Sequence, residues 1–142
     1  MRIIEILRKK GEEVATIAPD ASVRLLLAML AEHNIGAVVV SDDGKSIEGI
    51  VSERDVVRRL NDQGADLLDR PVESIMTAQV RTCAPDDDVD GLRAIMTDHR
   101  IRHVPVVKDG GLVGIVSIGD VVKNAISELE TERQYLVGYI QS

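Results

Sequence analysis

Gly49-Ile50-Val51-Ser52-Glu53-Arg54-Asp55 recurs 65 residues later as Gly114-Ile115-Val116-Ser117-Ile118-Gly119-Asp120, and Val-Val follows in both places. A strand of this kind delivers a hydroxyl to the start of a helix and sets a carboxylate three residues further on. Working outward, Val14–Val23 (VATIAPDASV) aligns with Val80–Val89 (VRTCAPDDDV), and 31–40 (AEHNIGAVVV) aligns with 97–106 (TDHRIRHVPV), at a spacing of 66. About 21 of 46 aligned positions are identical, so the chain is an internal duplication.

Both copies share one local grammar. Thr16-x-x-Pro19 and Thr82-x-x-Pro85 open each copy as short extended segments, because proline disfavours helix before it. Ser22 or Asp88 is then placed as the N-cap of a helix. The apolar stripe of the helix is Val23, Leu26, Leu27 and Leu30 in copy one, and Val89, Leu92, Ile95 and Met96 in copy two. Strands follow at Ala37–Val40 and Val104–Val107, turns at Asp42-Asp43-Gly44 and Asp109-Gly110-Gly111, and second strands ending at Val51 and Val116. A second short helix starts at Ser52 and at Ser117. The expected fold is therefore α/β (α+β): two βαββα repeats packed face to face with pseudo-twofold symmetry, since a half of this size is marginal alone.

The expected boundaries are 1–60 for the first repeat with an N-terminal segment, 61–75 for a polar linker, 76–127 for the second repeat, and 128–142 for a helical extension. The last of these continues a long helix over Val121–Ile140.

Composition narrows the function. The 142 residues carry 17 basic and 24 acidic side chains, a formal charge of −7, with no Phe, no Trp and two Tyr. Recognition by stacked aromatic faces is excluded, and the acidic balance argues against a protein that tracks nucleic-acid phosphates. A single Cys83 leaves no intramolecular disulfide or cysteine-cluster metal site, and fits a reducing compartment. No apolar run approaches the roughly 18 residues of a membrane span. The opening MRIIEILRKK, with a glutamate in a short apolar stretch, is a poor signal peptide. The chain reads as a soluble cytoplasmic protein.

The repeated Ser-x-x-Asp admits two readings. Free N–H groups and the helix dipole at Ser52 and Ser117 favour an anion such as phosphate. A nearby carboxylate suits a vicinal diol, which can donate two hydrogen bonds to it. Equally, Ser at the N-cap with Asp three residues on forms a capping box, worth about 1 kcal/mol of helix stability. The two readings do not exclude each other.

In its tandem order, the motif set over residues 14–60 and 80–125 resembles a pair of cystathionine-β-synthase (CBS) domains, often called a Bateman module. The resemblance implies a non-catalytic regulatory module of an energy-sensing kind. It would bind AMP, ADP, ATP, NAD(H) or S-adenosylmethionine between the copies and signal to a partner, commonly as a homodimer. By position, Asp55 and Asp120 match the ribose-binding aspartates, and Ser52 and Ser117 the hydroxyl contacting ribose or phosphate. Thr16, Ile17 and Ala18, with Thr82, Cys83 and Ala84, match the strand bordering the adenine. Ala37 and Val39, with His103 and Pro105, match the strand on the other side of the cleft.

In this family a cleft combines the Ser/Asp motif of one copy with strands of the other. Ser52, Arg54 and Asp55 are thus expected to meet Arg102 and His103 in one phosphate-competent cleft, leaving the Ser117/Asp120 cleft weaker or selective for less charged ligands. With no aromatic plates available, the adenine is expected between aliphatic side chains such as Ile17, Val39 and Ile115, with micromolar-class affinity.

Other residues carry blander assignments. His33 and His99 fall at equivalent helix ends and complement the dipole. Asp86, Asp87 and Asp88 suit a helix start better than a metal. No base–nucleophile pair is visible, so no catalysis and no catalytic cofactor is expected. Tyr135 and Tyr139, neighbours on the terminal helix, are expected at a dimer contact or a partner-facing edge. The alternative to a ligand sensor is a dimeric interaction scaffold in which Ser-x-x-Asp only caps helices.

Overall fold

The computed structural model of the protein describes residues 1–11 and 13–141. Glu12 and Ser142, which fall within the expected first and last segments, lie outside the described residues. The fold is a mixed α+β duplication with two small sheets and two separate apolar cores.

Copy one contains β1 (Thr16–Ile17), α2 (Val23–His33), β2 (Ala37–Val40), β3 (Gly49–Ser52) and α3 (Glu53–Gln63), preceded by α1 (Ile3–Lys10). Strand β1 pairs parallel with β2, and β2 antiparallel with β3. The Ser22 hydroxyl caps α2 by accepting the Leu25 N–H at 3.1 Å. Copy two contains α4 (Val89–His99), β4 (His103–Lys108), β5 (Gly111–Ser117) and α5 (Ile118–Gln141). Asp88 holds the N-cap position of α4 but accepts no capping bond there; its backbone bridges Arg2 instead. The expected short second helix and the terminal helix are one element of 24 residues.

The expected first strand of copy two shrinks to a single bridge between Cys83 and Val106. The cause is Pro105. In copy one, Thr16 pairs with Val39, a parallel pairing that draws on the Val39 N–H. The equivalent residue in copy two is Pro105, which has no N–H to donate. Only the next step survives, where Cys83 N–H donates to the Pro105 carbonyl at 3.0 Å and Val107 N–H to the Cys83 carbonyl at 2.8 Å.

The two cores are built by exchange. Ile3, Ile6 and Leu7 of α1, which precede copy one, are buried in the core of copy two with Leu92, Met96, Val104 and Val116. Leu67, Val72 and Ile75, from the segment read as a polar linker, are buried in the core of copy one with Leu26, Val38 and Val51. The hydrogen bonds repeat residue for residue. Ile3 N–H donates to Asp87 O, Ile4 to Pro85 O and Val89 to Met1 O; Val72 donates to Ala21 O, Glu73 to Pro19 O and Val23 to Arg70 O. Each copy thus wears the other's leading segment, which ties the halves together. Glycines mark both docking points, since a Cβ on Gly114 would lie 2.6 Å from Leu7 Cδ2 and one on Gly49 2.5 Å from Met76 Sδ.

Candidate functional site

Strand β3 ends at Ser52, and α3 begins at the next residue with the reciprocal bonds of a capping box. Ser52 N–H and its hydroxyl both donate to Asp55 Oδ2, at 2.8 and 3.0 Å, and Asp55 N–H donates to the Ser52 hydroxyl at 3.3 Å. Copy two repeats the box. Ser117 N–H donates to Asp120 Oδ2 at 2.8 Å, and Asp120 N–H to the Ser117 hydroxyl at 3.1 Å. The capping reading is thus real in both copies, and it holds each carboxylate rigidly at a helix start.

Ser52 and Asp55 open onto a cleft of about 650 Å³ between the two copies, a volume within the range of small-molecule sites. Its walls come from the start of α3, the extended segment 77–81, the junction 99–103 between α4 and β4, and the start of α5. Five arginines (Arg54, Arg58, Arg81, Arg100 and Arg102) line it against two carboxylates, Glu53 and Asp55. On a chain of net charge −7 this is a local reversal of sign, and a cleft walled by low-dielectric protein focuses such a field on an anion.

His103 lies at the meeting point of the copies. It pairs with Ser117 across β4 and β5, as Ala37 pairs with Ser52 across β2 and β3. The small Gly36-Ala37 of copy one leaves the room that the imidazole uses. A Cβ on Gly36 would sit 3.4 Å from both Glu53 Oε1 and His103 Cε1. Burial, then the Lys10 charge, push the His103 imidazole below its ordinary range, against the opposing pull of Glu53 and Asp120.

Asp120 is situated differently. Lys10 Nζ donates to its Oδ2 at 2.7 Å and to the Ile115 carbonyl at 2.7 Å. Burial by itself would raise the Asp120 carboxyl; the Lys10 bond and charge, with the bonds from Ser117, outweigh it and hold the group below its usual range. Among the described residues, no ion pair reaches Asp55.

Of the residues singled out in the sequence, Ala37, Ser52, Arg54, Asp55, Arg102, His103 and Ser117 come together in this one cleft. Thr16, Ile17, Ala18, Val39, Thr82, Cys83, Ala84, Pro105, Ile115 and Asp120 lie outside its lining. Ile17 is buried in the core of copy one at 3% exposure, whereas Val39, at 0%, belongs to neither core and sits on the face of β2 opposite Val38 and Val40. The aliphatic surface of the cleft is instead Ile50, Val80, Ile101 and Ile118. Cys83 is buried in the core of copy two; burial, with the Asp87 charge, pushes its thiol up to about 12. It is therefore no reactive thiolate at neutral pH.

Sequence reading missed Thr77, Gln79, Arg81 and Arg100. The first three lie at the start of copy two and reach the cleft where that segment crosses onto copy one, Thr77 and Ile50 exchanging both backbone bonds, at 2.9 and 3.0 Å. The apolar spacing of Ile3, Ile6 and Leu7 ahead of copy one was the available sign of this exchange. No group of three or more His, Cys, Asp or Glu able to hold a metal occurs among the described residues. No helix among them is long and apolar enough to cross a membrane.

A duplicated βαββα unit with a ligand-sized, cationic cleft between its copies defines a tandem-repeat binding module. The chain belongs to the CBS domain family, whose model matches residues 3–62 and 72–127. It is 37% identical to the mitochondrial CBS domain-containing protein CBSX3 of Arabidopsis thaliana, over 98% of this chain and 71% of that one. Among solved structures, it is similar to the CBS-domain containing protein ATU1752 of Agrobacterium tumefaciens, with 43% identity, a TM-score of 0.85, and 88% and 99% of the two chains covered. It is also similar to the CBS domain protein PAE2072 of Pyrobaculum aerophilum complexed with AMP, with 32% identity, a TM-score of 0.75, and 84% and 89% covered.

Proposed function

We propose that the chain is a non-catalytic regulatory module that binds an adenosine-containing ligand, AMP, ADP, ATP, NAD(H) or S-adenosylmethionine, in the Asp55 cleft. The observation that carries this reading is the convergence of Ser52 and Asp55 from copy one with Arg102 and His103 from copy two on one ligand-sized, arginine-lined cleft. Asp55 Oδ2 is engaged by Ser52, which aims the carboxylate and leaves Oδ1 to accept from a ribose diol. Arginines on the opposite wall pair with phosphate. Aliphatic side chains such as Ile50 and Ile118 flank the base, giving micromolar-class affinity. The similar PAE2072 protein, solved with AMP, supports the ligand class.

Binding between copies that share each other's leading segments shifts their packing, and a homodimer presents that shift to a partner protein. A cytoplasmic location belongs to the same reading, supported by the single, buried Cys83. A ligand-independent dimeric scaffold is the second reading. It is favoured by the complete capping boxes and by the exposed apolar face of α5, which includes Ile126, Leu129 and Leu136.

A thermal-shift panel of AMP, ADP, ATP, NAD⁺, NADH and S-adenosylmethionine separates the two readings. The sensor predicts a rise in Tm with at least one ligand that Asp55→Ala abolishes. Silence from the whole panel at millimolar concentration selects the scaffold, and turnover of a ligand would overturn both.

A further inference from the structure

The two motif aspartates carry the same local bonds and different neighbours. Asp55 shares its carboxylate with Ser52. Asp120 shares its carboxylate with Ser117 and also with Lys10, whose ammonium is held a second time by the Ile115 carbonyl. In the duplication Ile115 corresponds to Ile50, and there the carbonyl accepts the Thr77 N–H at 2.9 Å. One position in the fold is thus filled by a backbone amide in copy one and by an ammonium in copy two.

The difference originates in chain length. Ile3 and Val72 are equivalent by their hydrogen bonds, as are Val14 and Val80 by sequence. Eleven positions separate Ile3 from Val14, but eight separate Val72 from Val80. The three additional residues let α1 run a further turn, ending in Arg8-Lys9-Lys10, where the segment crossing onto copy one makes only a short 3-10 turn (Val72–Ser74) before irregular chain. Because Ile3, Ile6 and Leu7 are buried, this turn is rigidly mounted, and it delivers Lys10 to Asp120.

We propose that Lys10 is a built-in occupant of the second motif site: its ammonium takes the Asp120 carboxylate that would otherwise receive a ribose diol, so each chain binds one adenosine-type ligand, at Asp55. This rests on the adenosine-ligand reading above. A neutral diol reaching Asp120 has to displace a charge-assisted bond and leave an ammonium without its partner, and its own hydroxyls do not compensate. A diol therefore reaches Asp120 only when the Lys10 ammonium swings off the carboxylate.

Isothermal titration with AMP of the wild type, Lys10→Met, Lys10→Met/Asp120→Ala and Asp55→Ala tests this. The wild type is expected to bind one AMP per chain, Lys10→Met two, and Lys10→Met/Asp120→Ala one, with the second site at least 10-fold tighter in Lys10→Met than in the wild type. Circular dichroism melts accompany each variant, and Lys10→Gln replaces Lys10→Met if the latter melts early. A wild type that binds one AMP with no gain in Lys10→Met overturns the proposal. So does a wild type that binds two, with the second weakened by Lys10→Met, which would make Lys10 a ligand contact. If the wild type is silent but Lys10→Met binds one AMP in an Asp120-dependent way, the Asp55 reading fails and the internal occupant stands. Silence of both overturns both.

Discussion

The Asp55 and Asp120 sites grow from equivalent strand-to-helix junctions. In each, a serine at the strand end and an aspartate three residues on lock one another by reciprocal hydrogen bonds, and glycine admits a crossing side chain at the base of the strand. Their surroundings nevertheless diverge. Around Asp55 the crossing segment is a short 3-10 turn followed by irregular chain and brings Thr77, Gln79 and Arg81, while the far wall contributes Arg100, Arg102 and His103. Around Asp120 the crossing segment is helical and brings Lys10 onto the carboxylate itself. Identical motifs thus acquire different chemistry from whatever crosses over to meet them. A cationic wall set back from the carboxylate leaves room for an anion, whereas a cation seated on it does not.

The exchange that underlies both sites is broken most strongly at its anchors. Ile6 and Ile75 are equivalent and both 4% exposed, in copy two and copy one respectively. Either changed to Ala should cost about 2–5 kcal/mol in urea unfolding. Native-state hydrogen exchange should then separate the variants: Ile6→Ala loosens the amides of Val104 and Val106, and Ile75→Ala those of Val38 and Val40. Loss of protection on the near copy in each case would refute the exchange.

Next come the carboxylates. Removal of charge-assisted bonds worth roughly 1.5–3 kcal/mol should weaken AMP binding by about 10- to 150-fold in Asp55→Ala. Asp120→Ala should change it by less than about 2-fold, because Lys10 already excludes the ligand there; equal losses in calorimetry would erase the difference between the sites.

The glycines give a smaller contrast. A Cβ on Gly49 meets the Thr77 carbonyl at 2.9 Å as well as Met76, and backbone cannot swing away. A Cβ on Gly114 meets only the Leu7 side chain, whose methyl can. Gly49→Ala should therefore destabilise by about 1–3 kcal/mol and Gly114→Ala by under about 1 kcal/mol in chemical denaturation.

The smallest effect is the pH dependence set by His103. Its imidazole is held below its ordinary range by burial first, so near and below the unfolded value of about 6.5 the unfolded chain binds more protons than the folded one. Stability contributed by neutral His103 is present above that value and falls as pH drops through it. Melts from pH 7.5 to 5 should show a steeper loss of Tm in the wild type than in His103→Gln.

Periodicity and repetition made most of each copy legible. The apolar stripes, the hairpins and the Ser-x-x-Asp junctions are short-range, and two alignable copies reinforced one another. Pro105 was visible too, yet its effect on the first strand of copy two follows only once the parallel partner is known. Ser52, Arg54 and Asp55 with Arg102 and His103 were legible as one cleft through the family resemblance. The aliphatic lining of the cleft was not, because alternation along a strand does not say which face meets a cavity; Ile17 and Val39 are buried away from it, and Ile50 and Ile118 line it.

By itself the sequence determined the duplication, the βαββα order, the capping boxes and the scarcity of aromatic surface, all properties of local pattern and composition. Tertiary structure alone decided that residues 1–10 serve copy two and 70–77 serve copy one, that arginines distant in the chain converge on Asp55, and that Lys10 rests on Asp120. The physical reason is that burial rewards any apolar segment that completes a core, whichever repeat it precedes. The polar residues carried on such a segment then meet partners that no local spacing relates to them.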